Sequence, residues 1–174
     1  KTVEHFSKEG FCIVSGLALG IDAIAHQAAL DNQGHTLAVL VDLISIAPSN
    51  HRDLAEQILR KGGLLVSENP PGTKIIPPLF AKRDRIQAGL ALAVFAIETS
   101  IDGGTMHAVR AASSLKRKVF VPNANAACYP DLGIEQISGT QSLVNSKVAT
   151  PYTRENYANI AQELTLLAVS FAGK

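Results

Sequence analysis

The clearest indication of the fold lies in the stretch FCIVSGLALGIDAIAHQAAL, Phe11 to Leu30. Phe11 to Val14 is a short apolar run rich in residues that favour β-strands. Ile21 to Leu30 then carries apolar residues at helical spacing. The stretch therefore predicts a strand that leads through a glycine-containing turn into a helix.

The same β–α order recurs along the chain. Further strands are predicted at Thr36 to Val41, Leu64 to Val66, Leu92 to Ile97 and Val119 to Val121, and further helices at His51 to Arg60, Met106 to Leu115 and Arg154 to Phe171. Strands that are continuously apolar are typical of parallel sheets covered by helices on both faces. The predicted fold class is α/β, with a doubly wound, mostly parallel sheet, and the 174 residues predict one domain over 1–174.

Composition narrows the class of protein. The chain is 47% hydrophobic and 18% charged, with a net charge of +1, which excludes a disordered chain and a strongly basic nucleic-acid coat. The apolar runs Ala88 to Ile97 and Leu164 to Phe171 are shorter than the roughly 20 residues that a membrane crossing requires. Without a secretory pattern and with two cysteines, the sequence predicts a cytoplasmic protein.

Two glycine turns stand where a strand leads into a helix. The first contains Ser15, Gly16 and Gly20, and the second contains Gly103-Gly104-Thr105. Glycine lets the backbone approach a ligand, and the helix start offers unpaired N–H groups to an anion. Each turn alone is a weak signal, since glycine also serves ordinary turns, but two at the carboxyl ends of strands predict a phosphate site. Neither matches the dinucleotide fingerprint or the P-loop.

A compact positive cluster formed by Lys82, Arg83 and Arg85 follows a proline-rich segment that is predicted to be a loop from Glu68 to Pro78. The cluster opens a predicted short helix. It suits phosphate groups, although a solvated face with Asp84 paired to an arginine is the simpler interpretation. The five histidines lack metal-ligand spacing, and the sequence contains no nucleophile motif. We therefore predict no metal, no cofactor and no catalytic residue.

Taken together, these segments resemble the DNA-processing protein A family, also called Smf. The resemblance rests on SGLALGIDAIAHQAAL at Ser15 to Leu30, GGLLVSENPPG at Gly62 to Gly72, FAKRDRIQAGL at Phe80 to Leu90, DGGTMHAVRAA at Asp102 to Ala112, KVFVP at Lys118 to Pro122 and GIEQISGTQSLV at Gly133 to Val144. The motifs occur in the family's order and cover roughly Phe11 to Val144. The resemblance implies a Rossmann-like domain that handles single-stranded DNA.

The resemblance also implies a function and a site. Such a protein binds single-stranded DNA in the bacterial cytoplasm, helps to load the RecA recombinase, as in natural transformation, and commonly forms homodimers; it is not an enzyme. Carried over by position, the residues that would hold DNA phosphates are Ser15, Gly16, Gly20, Lys82, Arg83, Arg85, Gly103, Gly104 and Thr105. Three neutralised phosphates predict a salt slope of roughly −2 for a single strand.

The chain also departs from the family pattern. The usual Arg-Asn-Arg is Arg83-Asp84-Arg85 here, which places a negative charge in the predicted site. The family's opening strand, with its Gly-Ser-Arg turn, would precede Lys1. We therefore expect weakened DNA affinity.

Two other interpretations remain open. The first is a nucleotide-binding sensor, or an enzyme like the phosphoribohydrolases that share a Gly-Gly-x-Gly-Thr turn with this superfamily. Those enzymes need a glutamate shortly after the turn, whereas Gly103-Gly-Thr is followed here by Met106-His-Ala-Val-Arg110. The second is a scaffold that keeps the fold and the partner surface without the ligand. Neither oligonucleotides nor nucleotides would bind to such a scaffold.

Overall fold

The computed structural model describes residues 1–123 and 137–172. In chain order the strands are β1 (Ile13–Ser15), β2 (Thr36–Val39), β3 (Leu64–Val66), β4 (Ala93–Phe95), β5 (Lys118–Pro122) and β6 (Thr150–Tyr152). The helices are α1 (Thr2–Lys8), α2 (Ile21–Asp31), α3 (Arg52–Arg60), α4 (Pro77–Leu90), α5 (Thr105–Ser114), α6 (Ser138–Asn145) and α7 (Tyr157–Ala172). Short 3-10 turns at Ser49–His51 and Arg154–Asn156 precede α3 and α7.

The first compact unit comprises Lys1–Gln87. Its sheet has the order β1-β2-β3 with parallel pairing throughout, so β2 is the central strand. Helices α2 and α3 pack against this sheet. The core residues of the unit are apolar side chains from the strands, the first turn and both helices: Leu17, Leu30, Ala38, Leu40, Leu54, Ala55 and Ile58. Because the three strands run parallel, the carboxyl ends of β1, β2 and β3 lie at one edge of the sheet.

The second compact unit comprises Ala88–Lys174. Its sheet has the order β4-β5-β6, again parallel, with α5 packed against β4 and β5 and α6 packed against β5. The core is built mainly from alanine and valine side chains: Ala88, Ala96, Val109, Ala112, Val119, Val121, Leu143 and Ala149. These small side chains suit close packing of helices on a parallel sheet.

The structure confirms the predicted doubly wound α/β fold class, since parallel strands alternate with helices in both units. One domain over 1–174 stays a prediction. The predicted proline-rich loop from Glu68 to Pro78 is wrong at its end, because Pro77 and Pro78 are the first residues of α4. Proline suits a helix start, where its missing N–H has no intrahelical partner to lose. The sequence also predicts an irregular stretch from Asn123 to Asp131, and its residues after Asn123 lie outside the described part of the chain.

Candidate functional site

The first glycine turn joins β1 to α2 and is closed by the Asp22 carboxylate. Its Oδ1 accepts a hydrogen bond from the Ser15 hydroxyl at 2.7 Å, and its Oδ2 accepts from the amides of Gly16 at 3.0 Å and Ala18 at 3.1 Å. Hydrogen bonds to a carboxylate are among the stronger ones in proteins. The donors of Ser15 and Gly16, which the sequence assigned to a phosphate, therefore already bind an anion of the same chain.

Two further features fix the backbone of this turn. Leu17 has a positive φ of 60° and is fully buried, and its carbonyl oxygen lies 2.8 Å from Nδ1 of His51. Because a carbonyl only accepts, this contact requires His51 to donate from Nδ1. Gly20, the N-cap of α2, has a φ of 82°, a conformation that residues with side chains rarely adopt. The His51 contact at Leu17 and the backbone conformation of Gly20 thus fix the shape of the turn.

Arg83 points into unit 1. It is 4% exposed, and its Nη1 donates to the carbonyl oxygen of Val39 at 2.5 Å. Its guanidinium lies beside Gly16, where a Cβ would stand 1.7 Å from Nη1. Its Nε has no hydrogen-bond partner among the described residues and lies 3.6 Å from Oδ1 of Asp84. Burial lowers the pKa of Arg83, while the carboxylates of Asp84 and Asp22 oppose that shift.

Lys82 and Arg85 flank Arg83 on α4 and remain exposed. Their side chains are 56% and 55% exposed, and both reach the carboxylate of Glu68. Lys82 Nζ lies 3.8 Å from Oε1, and Arg85 Nη2 donates to Oε2. The cluster predicted from the sequence is therefore divided, since two cations face outward around one acid and the third is buried.

Glu68 is carried by a loop that is attached to the end of β2. The hydroxyl of Ser67 and Nδ2 of Asn69 both donate to the carbonyl oxygen of Val41, at 2.9 and 2.8 Å. The Ser67 hydroxyl also accepts from the amide of Asn69 at 3.1 Å. The backbone on both sides of Glu68 is thus fixed to the segment that continues the central strand.

Asp42 connects the same strand end to two other segments. Its carboxylate accepts from the amides of Ser45 and Gly72, both at 2.8 Å, and the residue is 1% exposed. The hydrogen bond from Ser45 is the main reason that the pKa of Asp42 is lowered, and Gly72 adds to it against the effect of burial. Asp42 therefore holds the loop after β2 and the proline-rich loop together.

His26 is buried behind the first turn. Thr36 Oγ1 donates its only hydrogen to the carbonyl oxygen of Ile13, so His26 Nδ1, 2.7 Å away, donates to Thr36 Oγ1. This assigns the neutral Nδ1–H tautomer and leaves Nε2 buried, with no hydrogen-bond partner in the described part of the chain. Burial lowers the pKa of His26 to about 4, although the Asp22 carboxylate opposes the shift. The histidine is a neutral core residue.

The second glycine turn lies in unit 2 between β4 and α5. Gly103 donates its amide to the carbonyl oxygen of Ser100 at 3.1 Å, and a Cβ on Gly103 would lie 2.3 Å from Oγ1 of buried Thr99. Gly104 is exposed, has open space where a Cβ would stand and caps α5, which begins at Thr105. Of the three predicted residues Gly103, Gly104 and Thr105, the exposed one is therefore Gly104 at the helix start.

The start of α6 packs against this second turn. The amide of Gly139 donates to the carbonyl oxygen of Thr99 at 2.9 Å, and a Cβ on Gly139 would lie 2.4 Å from the carbonyl oxygen of Ser100. The turn is thus supported by backbone contacts within unit 2.

The structure brings some of the predicted site residues together. In unit 1, Ser15 and Gly16 share the carboxylate of Asp22, and Arg83 fills the space beside Gly16. Sequence reasoning missed the site roles of His51 and Glu68. Glu68 lies two residues after β3 and precedes the cation cluster, which is the one pattern that points to it.

Comparison with known proteins establishes the family. A family model described as DNA recombination-mediator protein A matches residues 1–165. The chain belongs to that family. Within the described part of the chain, no group of three or more His, Cys, Asp and Glu side chains is placed to hold a metal ion. None of the helices in residues 1–123 and 137–172 combines the length and apolar character needed to cross a membrane.

Members of the recombination-mediator family match much of this chain. Protein Smf of Synechocystis sp. is 40% identical over 148 residues, which is 84% of this chain and 35% of that protein. Protein Smf of Escherichia coli is 41% identical over 121 residues, which is 67% of this chain and 32% of that protein. This chain thus spans about a third of the length of these two curated relatives.

A solved structure of DNA processing protein A from Helicobacter pylori, described for its single-stranded DNA binding mode, has a similar fold. It matches with a TM-score of 0.79 at 27% identity, covering 94% of this chain and 70% of that one. The resemblance that the sequence motifs indicated is therefore confirmed at the level of family and fold.

Proposed function

We propose that this chain binds single-stranded DNA and acts as a mediator that helps to load a RecA-type recombinase onto it, with no bond chemistry of its own. Its membership of the DNA recombination-mediator protein A family supports this function. The likeness to the H. pylori protein, whose structure is described for its single-stranded DNA binding mode, supports the ligand. The same family relationship is the basis for proposing a cytoplasmic homodimer, natural transformation as the process and a recombinase as partner.

The observation that carries the proposal is the arrangement of Lys82, Arg83 and Arg85 on α4. Residues three apart on a helix share a face, so Lys82 and Arg85 project together into solvent. Arg83, turned inward, fastens the helix to Val39 beside the first turn. The buried arginine thus anchors the helix that carries two exposed cations, and each of these cations would contact a phosphate of the strand.

Phosphate contacts would dominate this binding. The chain has no Trp and 5% aromatic residues, so stacking on many rings contributes little. With Arg83 buried, Lys82 and Arg85 neutralise two phosphates, which gives a salt slope of about −1.4 instead of −2. Binding of this kind is nearly independent of base sequence.

We assign two different roles to the hydrogen-bond donors of the glycine turns. The amides at the helix starts after Gly20 and within Gly103-Gly104-Thr105 would donate to phosphates, because helix N-termini favour anions. Ser15 and Gly16 donate to Asp22 and shape the first turn. The helix starts are proposed as separate phosphate contacts, one in each unit.

Fluorescence anisotropy with a labelled single-stranded oligonucleotide at two salt concentrations tests the proposal. K82A/R85A removes the exposed pair, and R60A/K61A removes two equally charged side chains from the end of α3. We expect K82A/R85A to weaken binding at least tenfold and R60A/K61A to weaken it less than twofold. Flat anisotropy at micromolar wild-type protein contradicts the function, and equal losses in both variants contradict the site.

The proposed homodimer and the proposed recombinase partner are each tested by a separate measurement. Light scattering after gel filtration should give twice the mass of the chain. The protein should also shorten the lag of recombinase-driven ATP hydrolysis on single-stranded DNA, an effect that K82A/R85A should lose. A monomeric mass contradicts the homodimer, and an unchanged lag contradicts recombinase loading.

A further inference from the structure

Glu68 contacts the two cations that the proposed function uses. Its Oε1 lies 3.8 Å from Lys82 Nζ, and its Oε2 accepts a hydrogen bond from Arg85 Nη2. Its own side chain is 28% exposed, against 56% and 55% for its partners. One carboxylate of the chain therefore occupies the positions that phosphate oxygens would take.

The position of Glu68 is set by the fold. Ser67 and Asn69 bind the carbonyl oxygen of Val41 from both sides of Glu68, so the backbone at residue 68 is fixed to the segment that continues the central strand. Arg83 fixes α4 to the same strand through Val39. Glu68 and α4 are therefore anchored at or just beyond the end of β2, so the backbones that carry the contacting side chains are held in place.

We propose that Glu68 is an internal competitor for the DNA backbone, and that it sets the affinity with which Lys82 and Arg85 hold phosphate. This inference rests on the proposed function. A guanidinium group binds carboxylate and phosphate through the same N–H donors, so Arg85 exchanges one acceptor for the other. No covalent bond changes in this exchange, and Glu68 turns toward water as the phosphate arrives.

Asp22 does not take part in this exchange. It accepts hydrogen bonds from the Ser15 hydroxyl and from the amides of Gly16 and Ala18 within a partly buried turn. Breaking these hydrogen bonds would leave partly buried donors without an acceptor, which is unfavourable in free energy. Glu68 faces exposed cations, and exposed ion pairs are weak. The exchangeable carboxylate is therefore Glu68.

The test compares E68Q with E56Q by oligonucleotide anisotropy at low and high salt. Glutamine keeps the size of the side chain and removes its charge. Glu56 lies on α3 and pairs with Arg60 at 3.8 Å, so E56Q changes the net charge equally at another site. We expect E68Q to tighten binding about three- to tenfold at low salt, from the size of exposed ion pairs, and E56Q less than twofold. The gain should shrink at high salt because screening weakens the competition.

A further comparison tests whether Glu68 acts through Lys82 and Arg85. In the K82A/R85A background, E68Q should leave the affinity unchanged, because the residue has no cations left to occupy. Tighter binding by E68Q, with or without measurable binding by wild type, supports the competitor. An affinity of E68Q equal to that of E56Q, or weaker than wild type, overturns it while leaving the DNA-binding function in place. Absence of binding in wild type and E68Q alike overturns both.

Discussion

The guanidinium group of Arg83 occupies the space that a side chain at Gly16 would need. A Cβ built on Gly16 would stand 1.7 Å from Nη1 of Arg83, far inside contact distance. The arginine reaches this place from α4 and donates to the carbonyl oxygen of Val39. The absence of a side chain at Gly16 is thus what allows the guanidinium group of Arg83 to be buried.

Gly16→Ala should destabilise the protein by about 2 kcal/mol, the order of a lost charge-assisted hydrogen bond, since Arg83 must leave Val39. Chemical denaturation of the single variants and of the Gly16→Ala/Arg83→Ala double variant measures the coupling. In the Arg83→Ala background the added methyl group should cost much less. Equal costs in both backgrounds would show that Arg83 is not the obstacle.

Asp22→Ala should cost about 3 kcal/mol of the free energy of unfolding, because the Ser15 hydroxyl and the amides of Gly16 and Ala18 lose their acceptor. The matched control is Asp53→Ala in the first turn of α3, where an exposed acid favours the helix dipole alone at about 0.5 kcal/mol. Denaturant midpoints measure both. Similar losses in the two variants contradict the view that Asp22 closes the turn.

Acidification from pH 7 to pH 5 should destabilise the protein through His26. Its pKa of about 4 in the folded state lies below the usual 6.5, so the unfolded chain binds the extra proton in this window. Stability therefore falls as the pH falls, by about 2 kcal/mol between pH 7 and pH 5.

The control for this prediction replaces each of two histidines by glutamine. His26→Gln should remove that part of the pH dependence, whatever it costs in absolute stability, whereas His35→Gln, at an exposed position, should retain it. Unfolding free energies at the two pH values measure the slope. An unchanged slope in His26→Gln contradicts the assignment.

Gly139→Ala should destabilise unit 2 by about 3 kcal/mol, because the new Cβ meets the carbonyl oxygen of Ser100 and the backbone must move. Gly104→Ala is the control, since its φ of −56° suits alanine and the space is open. Thermal unfolding should show a lowered midpoint for Gly139→Ala and little change for Gly104→Ala. A similar midpoint for both variants contradicts the contact.

Local patterns in the sequence predicted most of the fold. The β1–α2 segment was predictable because strand formers, a glycine turn and helical spacing follow one another within Phe11 to Leu30. The patterns missed β6 and α6. Strand β6 contains Pro151, and α6 has the sequence SGTQSLVN, which is poor in strong helix formers. Tertiary packing determines these two elements.

The candidate site was predictable in composition and not in arrangement. Lys82, Arg83 and Arg85 form one charge run in the sequence, and burying a cation is normally unfavourable. Arg83 is nevertheless buried because Gly16 leaves a space and Val39 offers an acceptor, and both are distant from it in sequence. Contacts of this kind depend on the assembled sheet, so no local pattern reveals them.

The end of β2 gathers acceptors for segments that are far apart in the chain. The carbonyl oxygen of Val39 accepts a hydrogen bond from Arg83, and that of Val41 accepts from the loop that carries Glu68. The Asp42 carboxylate accepts from the amides of Ser45 and Gly72. Loops with separate anchors take up deuterium independently, whereas these share one anchor and open through a common event. Deuterium should therefore enter the amides of Ser45 and Gly72 at a single rate, and Asp42→Asn should accelerate both together.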